Sequence, residues 1–347
     1  MKILLLGDFS SLHTNLFKGL KFLGHDVHLA STGDGERNLP RTHDIGFKAN
    51  KYRLIQGLNR IDVEMNFLKS LGKYDIIQII NPGILSKFHI KNPYEILRKK
   101  AKKLILLSAG ADNKFNEAIQ NNLFKYGYKF PKGGLSSRLN RNENYLLDNV
   151  DGIISTSYSY MKAYKNHPRF IDNIRFPIIV PNKPVFLKRK NKFTFFHGIQ
   201  LSRYLEKGSN FIEEGVSELN PKWKLDNKFL FLKTIPFKQY LEFLNQIDCV
   251  FDQAYGYEPG MNALICMSLG KIVFGGCEKE YLDTFNTNMP PLINIRPDKD
   301  SIKNAVEKFL EKPEHVPKLS RRAYEFVNKH HDHIEITQKY LKTWNQI

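Results

Sequence analysis

Residues 2–6 form an apolar run that stops at Gly7, a pattern that predicts a strand buried on both faces. After a polar turn, residues 15–23 carry Leu16, Leu20 and Leu23 at helical spacing and close on Gly24, a helix-ending residue. Residues 26–30 then read as a second strand, completing a strand, helix, strand unit of the kind that builds parallel sheets. Apolar runs bounded by turn signals recur at 75–80, 103–107 and 151–155. A stretch with three prolines and a basic cluster, 176–191, interrupts the alternation as an interdomain connection would. Beyond it, strands are expected at 193–196, 228–232, 249–252, 272–274 and 292–294, with helices at 210–219, 237–246, 262–269 and 301–310. The last segment, 319–344, is long, polar and helical in spacing. No internal repeat or low-complexity tract appears.

This pattern predicts an α/β protein of two Rossmann-like, doubly wound domains, 1–184 and 185–328, with a terminal helix, 329–347, that crosses back to the first domain. Two such domains facing a central cleft bring strand C-termini and helix N-termini around it, where ligands of these sheets bind. Free N–H groups and positive dipole ends suit that place to a phosphorylated ligand.

Composition narrows the partners without naming one. Lys plus Arg number 53 against 35 Asp plus Glu, a formal charge of +18 spread along the chain, so an anionic partner is expected: nucleic acid, an acidic membrane surface or a phosphate-bearing substrate. The three cysteines, Cys249, Cys266 and Cys277, are odd in number and lie among apolar neighbours, which points to reduced thiols in the cytosol. The opening MKILLLGDF is too short for a secretory apolar region, and no apolar run approaches the ~20 residues of a membrane span. A cytoplasmic protein, peripheral at most on the inner membrane face, is expected.

The motifs exclude two nucleotide-binding classes. Gly7 is followed by Asp8, Phe9, Ser10, Ser11 and Leu12 rather than the glycines that let backbone approach a pyrophosphate, and there is no G-x-x-x-x-G-K-[ST] run. Ser10 and Ser11 read either as cleft-lining hydroxyls or as a turn and helix cap. After the connection, His197-Gly198-Ile199-Gln200-Leu201-Ser202-Arg203-Tyr204-Leu205-Glu206-Lys207-Gly208 runs from a strand to a helix. It places a planar fork, Arg203, and a point charge, Lys207, on one loop, a pairing suited to a diphosphate. Further on, a buried strand ends in a glycine-containing loop, and a helix opens at Gly260, Met261 and Asn262 with Glu258 beside it to accept sugar hydroxyls.

Taken together, these stretches resemble the donor site of the group 1 family of retaining glycosyltransferases of GT-B architecture. The likeness covers nearly the whole chain, through GHDVHLAS, YDIIQIINP, LILLSAGAD and VDGIISTS, and is most specific in GYEPGMNALICMSLGKIVFGG. It implies that Arg203 and Lys207 hold the donor diphosphate and that Gly260, Met261 and Asn262 present backbone N–H groups to phosphate and sugar. His197 and Tyr257 join that donor set. No metal and no cofactor are expected besides the nucleoside-diphosphate sugar itself. The chain departs from the family at the second of two glutamates eight positions apart: that place is Ile265, and eight residues earlier stands Tyr257, one position before Glu258. A one-residue shift would let Glu258 serve as the first glutamate. In the first domain the family often sets a polar group near the transferred sugar; here the region is Ser108-Ala109-Gly110-Ala111-Asp112, which makes Asp112 the candidate, with a helix cap as its alternative.

Three further stretches invite other readings. Asp298-Lys299-Asp300 fits a D-x-D metal signature but precedes 301–310 and reads better as an N-cap. His330, His331, Asp332 and His333 are consecutive, so on a helix they point to different sides and make a poor metal set. The aromatic and basic stretch 125–141 lacks apolar periodicity and reads as a loop at the cleft or membrane edge.

The expected function is transfer of a sugar from a nucleoside-diphosphate donor to a glycan or lipid-linked acceptor in cell-surface polysaccharide or glycoconjugate synthesis, with retention implied by the resemblance. The alternatives are a catalytically silent nucleotide-sugar or glycan-binding protein, which Ile265 favours, and a sugar-nucleotide epimerase. Nucleic-acid binding rests on charge alone, with no RRM, KH or zinc-finger signature, and is not expected.

Overall fold

A computed structural model of the chain describes residues 1–34, 38–47, 51–86, 88–126, 137–233 and 237–347. The chain divides into two compact units: one comprises Met1–Leu123, 137–177 and His333–Ile347, the other 124–126 and Ile178–Asp332.

The first unit runs β1 (Lys2–Leu6), α1 (Leu12–Phe22), β2 (Asp26–Ser31), β3 (His43–Asp44), α2 (Arg53–Ser70), β4 (Tyr74–Ile79), α3 (Pro93–Lys100), β5 (Ala101–Ser108), α4 (Asn113–Gln120), α5 (Ser137–Asn149), β6 (Gly152–Ser155), α6 (Tyr158–Tyr164) and β7 (Phe170–Asn173). Its seven strands are parallel in the order β3-β2-β1-β4-β5-β6-β7, the doubly wound arrangement in which strand order reverses beside β1. The unbroken apolar run of β1 follows from burial on both faces. Leu4 and Leu6 enter a core with Leu68, Tyr94 and Leu97. Ile3 and Leu5 enter another with Leu16, Leu20 and two residues of the terminal helix His333–Gln346, Tyr340 and Trp344. Each such side chain contributes about 1.5–3 kcal/mol of burial.

The terminal helix is tied into this unit by a buried polar chain. Trp344 Nε1–H donates to Gln78 Oε1 at 3.2 Å, Gln78 Nε2 lies 3.1 Å from His13 Nε2, and His13 Nδ1 lies 2.7 Å from the Gly7 carbonyl. The carbonyl can only accept, so Nδ1 carries the proton and Nε2 accepts from Gln78. Burial holds His13 neutral, its pKa lowered to about 4. Helix α1 starts earlier than its leucine spacing predicts because Asp8 accepts from the N–H groups of His13 and Thr14. Ser11 occupies the cap position without a side-chain cap bond.

The second unit runs β8 (Thr194–Ile199), α7 (Ser209–Ser217), α8 (Pro221–Asp226), β9 (Lys228–Lys233), α9 (Phe237–Phe243), β10 (Cys249–Phe251), α10 (Met261–Ser268), β11 (Ile272–Gly275), α11 (Lys279–Asp283), β12 (Ile293–Asn294), α12 (Lys299–Leu310) and α13 (Val316–His331). Its five strands are parallel in the order β12-β11-β10-β8-β9. Phenylalanines hold its core: Phe195 stacks on Phe229 at 4.6 Å between centroids, and Phe274 meets Phe309 edge-on at 5.6 Å.

Two expectations are corrected. The single helix expected over 319–344 is two helices, because Asp332 leaves helical backbone and bridges to Ile178, whose N–H donates to the His331 carbonyl at 2.7 Å. His331 is buried beside this break. Of the loop expected over 125–141, residues 137–141 begin α5, while 127–136 lie outside the described residues. The D-x-D stretch caps a helix as expected: Asp298 accepts from the Ser301 N–H at 2.9 Å.

Candidate functional site

The second unit assembles most of the expected site residues at the C-terminal ends of β8 and β10. After β8, the chain makes a short turn through Arg203 and enters α7 at Gly208, whose φ of +69° lies in the left-handed region. A Cβ there would stand 3.0 Å from Ala254 Cβ and 3.2 Å from the Tyr255 ring, so glycine is required by both conformation and space. The close approach lets the Ala254 N–H donate to the Lys207 carbonyl at 2.9 Å, which joins the cation-bearing loop to the loop that follows β10. Arg203 is half-exposed and paired through Nε with Glu206 at 2.8 Å.

His197 is buried. Its Nδ1 lies 3.0 Å from the Phe251 carbonyl and its Nε2 2.9 Å from Ser209 Oγ, so both ring nitrogens are engaged by the protein. Burial lowers its pKa and keeps it neutral. The imidazole thus ties β8 to β10 and to the start of α7.

Helix α10 begins at Gly260 with no side-chain cap bond. Its first N–H groups have no partners within the helix, which leaves donors and the positive dipole end at this terminus. A side-chain chain runs beside it: Tyr240 O–H donates to Asn262 Oδ1 at 2.5 Å, and Asn262 Nδ2 donates to Asp252 Oδ1 at 3.2 Å. Asp252, at the end of β10, is a buried carboxylate that sequence reasoning missed, because an acid after a strand carries no distinctive spacing. Glu258 and Met261 are buried in the same loop and helix start, and Ile265 is half-buried on α10.

Tyr257 is buried as a support of this loop. Its hydroxyl accepts from the Lys125 N–H at 2.5 Å, its carbonyl accepts from the Glu278 N–H at 2.8 Å, and its ring lies 6.1 Å from that of Tyr126. Glu278 gathers donors from two stretches: Lys125 Nζ at 2.7 Å, Tyr126 O–H at 2.7 Å, Asn294 Nδ2 at 3.0 Å and Arg296 Nε at 3.1 Å. Burial pushes its carboxyl up, but these hydrogen bonds outweigh burial and bring the pKa down to about 2. Neither Glu278 nor its partners carry a recognisable motif, and only the folded chain brings 125 and 278 together.

Asp112, the remaining candidate, lies in the first unit. Its Oδ1 accepts from the Phe115 N–H at 2.8 Å, which makes it the N-cap of α4, and its Oδ2 accepts from Tyr164 O–H at 2.8 Å. Burial raises its pKa to about 6. Glu143, also buried, accepts from the Asn113 N–H at 3.1 Å, and burial followed by the neighbouring Asp112 charge raises it to about 7. Sequence reasoning missed Glu143, which α5 delivers from 31 positions away.

No family model matches the chain, and no curated protein matches it. Solved structures do. Anabaena HepE, in complex with UDP and glucose, is 13% identical, with a TM-score of 0.66 and all of both chains covered. Sucrose-phosphate synthase from Thermosynechococcus elongatus is 13% identical at a TM-score of 0.65, covering 100% of this chain and 99% of that one. WaaG, a glycosyltransferase involved in lipopolysaccharide biosynthesis, is 13% identical at 0.60, with 98% of each chain covered. The fold is therefore the GT-B fold of two Rossmann-like α/β units, as the sequence pattern predicts.

Proposed function

We propose that the protein is a glycosyltransferase that moves a sugar from a nucleoside-diphosphate sugar to a glycan or lipid-linked acceptor, in cell-surface polysaccharide or glycoconjugate synthesis. The observation that carries this reading is the joint between the Arg203–Lys207 loop and the loop leading to the uncapped start of α10, held by the Ala254 N–H to Lys207 carbonyl bond. Two cations and a helix N-terminus on adjoining loops at strand ends are arranged to stabilise a departing diphosphate. The GT-B fold and the UDP and UDP-glucose complexes of HepE support a nucleotide-sugar donor. In this reading Arg203 and Lys207 bind the diphosphate, the N–H groups of Met261 and Asn262 face phosphate and sugar, Glu258 accepts sugar hydroxyls, and Asp112 contacts sugar or acceptor. The anomeric carbon leaves the phosphate oxygen for an acceptor hydroxyl, whose proton passes to the departing diphosphate, with retention, and the charge that develops on the diphosphate is met by protein donors without a metal.

Because no helix among the described residues is long and apolar enough to cross a membrane, a lipid-linked acceptor would be met peripherally. The basic surplus favours an anionic inner membrane face.

Incubating the protein with UDP-, GDP-, ADP-, dTDP- and CMP-sugars, with and without membrane extract, tests the reading. Nucleotide release from one donor, raised by extract and lost in Lys207→Ala, is the expected result. Donor conversion without transfer would indicate an epimerase. Binding without release would favour a silent nucleotide-sugar-binding protein, the second reading, for which Ile265 in place of an acceptor side chain is the specific observation.

A further inference from the structure

Helix α2 has two unlike faces. Glu64, Phe67 and Leu68 are buried, yet the first two turns of the opposite face present Leu54 at 85% exposure, Leu58 at 65% and Ile55, with Tyr52 just ahead of them. Surface helices normally turn polar residues outward, so three outward aliphatic side chains in five positions reverse the usual pattern.

The loop packed on α2 repeats the feature. Glu64 accepts from Arg60 Nε at 2.7 Å and from the Ser86 N–H at 2.8 Å, and it meets His89 Nε2 at 2.6 Å. Arg60 also donates to the Ile84 carbonyl at 2.9 Å. His89 is therefore pinned inward, and its neighbours Phe88 and Ile90 are turned out, Ile90 to 96% exposure.

Charge along these stretches is mainly positive, although Asp62, exposed one turn beyond Leu58, carries the opposite sign. Residues 47–61 contain Lys48, Lys51, Arg53 and Arg60, residues 82–94 contain Lys87 and Lys91, and neither stretch contains Asp or Glu. Lys51 and Lys91 are exposed.

We infer that the outer face of the start of α2, together with Phe88 and Ile90, is the surface by which this protein docks on an anionic lipid bilayer. Aliphatic side chains enter the acyl boundary while lysines stay at the headgroups, the division of labour of an interfacial amphipathic helix. A second copy of the chain fits poorly, because a two-fold contact would set the same cations against themselves. Nucleic acid fits less well, since four of the exposed side chains, Leu54, Ile55, Leu58 and Ile90, are aliphatic and offer no ring on which a base can stack. The inference names the surface for the peripheral attachment in the proposed function and shares no residue with the donor site.

The test is flotation of the full chain with vesicles of phosphatidylcholine alone or of phosphatidylglycerol and phosphatidylcholine. The variants are Leu54→Ser with Leu58→Ser, Ile90→Ser, and Lys51→Glu with Lys91→Glu. Leu225→Ser is the control, because Leu225 is equally exposed, at 86%, but lies in the other unit. Wild type and the control should float with the anionic vesicles and be released by salt, whereas each exposed apolar residue removed should weaken partitioning roughly tenfold. Unchanged melting temperatures would show that these surface variants remain folded. Absence of wild-type flotation, or equal flotation of the Leu54/Leu58 variant and the control, overturns the inference. So does a change of oligomeric state by light scattering in that variant, which would make the face a self-contact. The donor panel run in parallel separates the two readings: nucleotide release without flotation removes only the docking surface, and flotation without release removes only the transferase.

Discussion

Lys125 Nζ lies 2.7 Å from Glu278 Oε2, an ion pair between residues 153 positions apart whose backbone N–H groups both donate to Tyr257 in the candidate donor loop. Glu278 is almost fully buried, and its charge is stabilised by four side chains.

Replacing Glu278 should therefore show as a pH-dependent loss. A carboxyl with a folded pKa of about 2, against an ordinary value of 4.5, binds fewer protons in the native state between those limits, so its stabilisation is full above 4.5 and lost as pH falls toward 2. The difference amounts to about 3 kcal/mol. Glu278→Gln should melt well below wild type at pH 7, and the gap should narrow at pH 3. A gap independent of pH would mean that the carboxylate's charge is not what holds the loop.

The diphosphate assignment predicts affinities. Lys207→Ala and Arg203→Ala should each weaken nucleoside-diphosphate binding by roughly tenfold or more, while Leu205→Ala, on the same loop, should leave it unchanged. Calorimetric titration with a panel of nucleoside diphosphates measures this, and equal affinities across the three variants would place the diphosphate elsewhere.

Gly276 supplies a steric test. A Cβ on it would lie 2.3 Å from the Gly256 carbonyl oxygen, so Gly276→Ala must push the 253–260 loop away from β11. Overpacking of this kind costs about 1–3 kcal/mol. The variant should lose both melting temperature and nucleotide affinity, whereas Gly24→Ala has open space around its Cβ and should leave affinity intact.

The two buried carboxyls of the first unit predict the opposite pH trend. Glu143, raised to about 7, keeps a proton in the native state that the unfolded chain releases above about 4.5. Its contribution to stability thus falls as pH rises from 4.5 to 7. Glu143→Gln should raise the melting temperature relative to wild type at pH 8 and have little effect at pH 4.5. A constant offset at both values would show that burial, with the Asp112 charge, does not penalise ionisation of Glu143 in the native state.

Much of the fold was legible because buried parallel strands are apolar on both faces: 2–6, 103–107 and 272–274 announce themselves by unbroken runs. Helix α2 was not legible, since Leu54, Ile55 and Leu58 point outward and blur the periodicity that marks an amphipathic helix. In the candidate site, Arg203, Lys207 and Gly260–Asn262 are singled out by loop chemistry together with the family resemblance. Asp252, Glu143 and Glu278 could not, because a lone acid becomes informative only through what folding places beside it.

Local sequence determined what depends on neighbours along the chain: strands, and helix starts such as that of α1, where Asp8 accepts from the N–H groups of His13 and Thr14. Tertiary structure decided what depends on distant partners. The break at Asp332 is set by the Ile178 backbone, the neutral state of His13 by burial, and the low pKa of Glu278 by hydrogen bonds from Asn294, Lys125, Tyr126 and Arg296. Periodicity is a property of adjacent residues, whereas burial and electrostatics sum over everything the fold brings within a few ångströms.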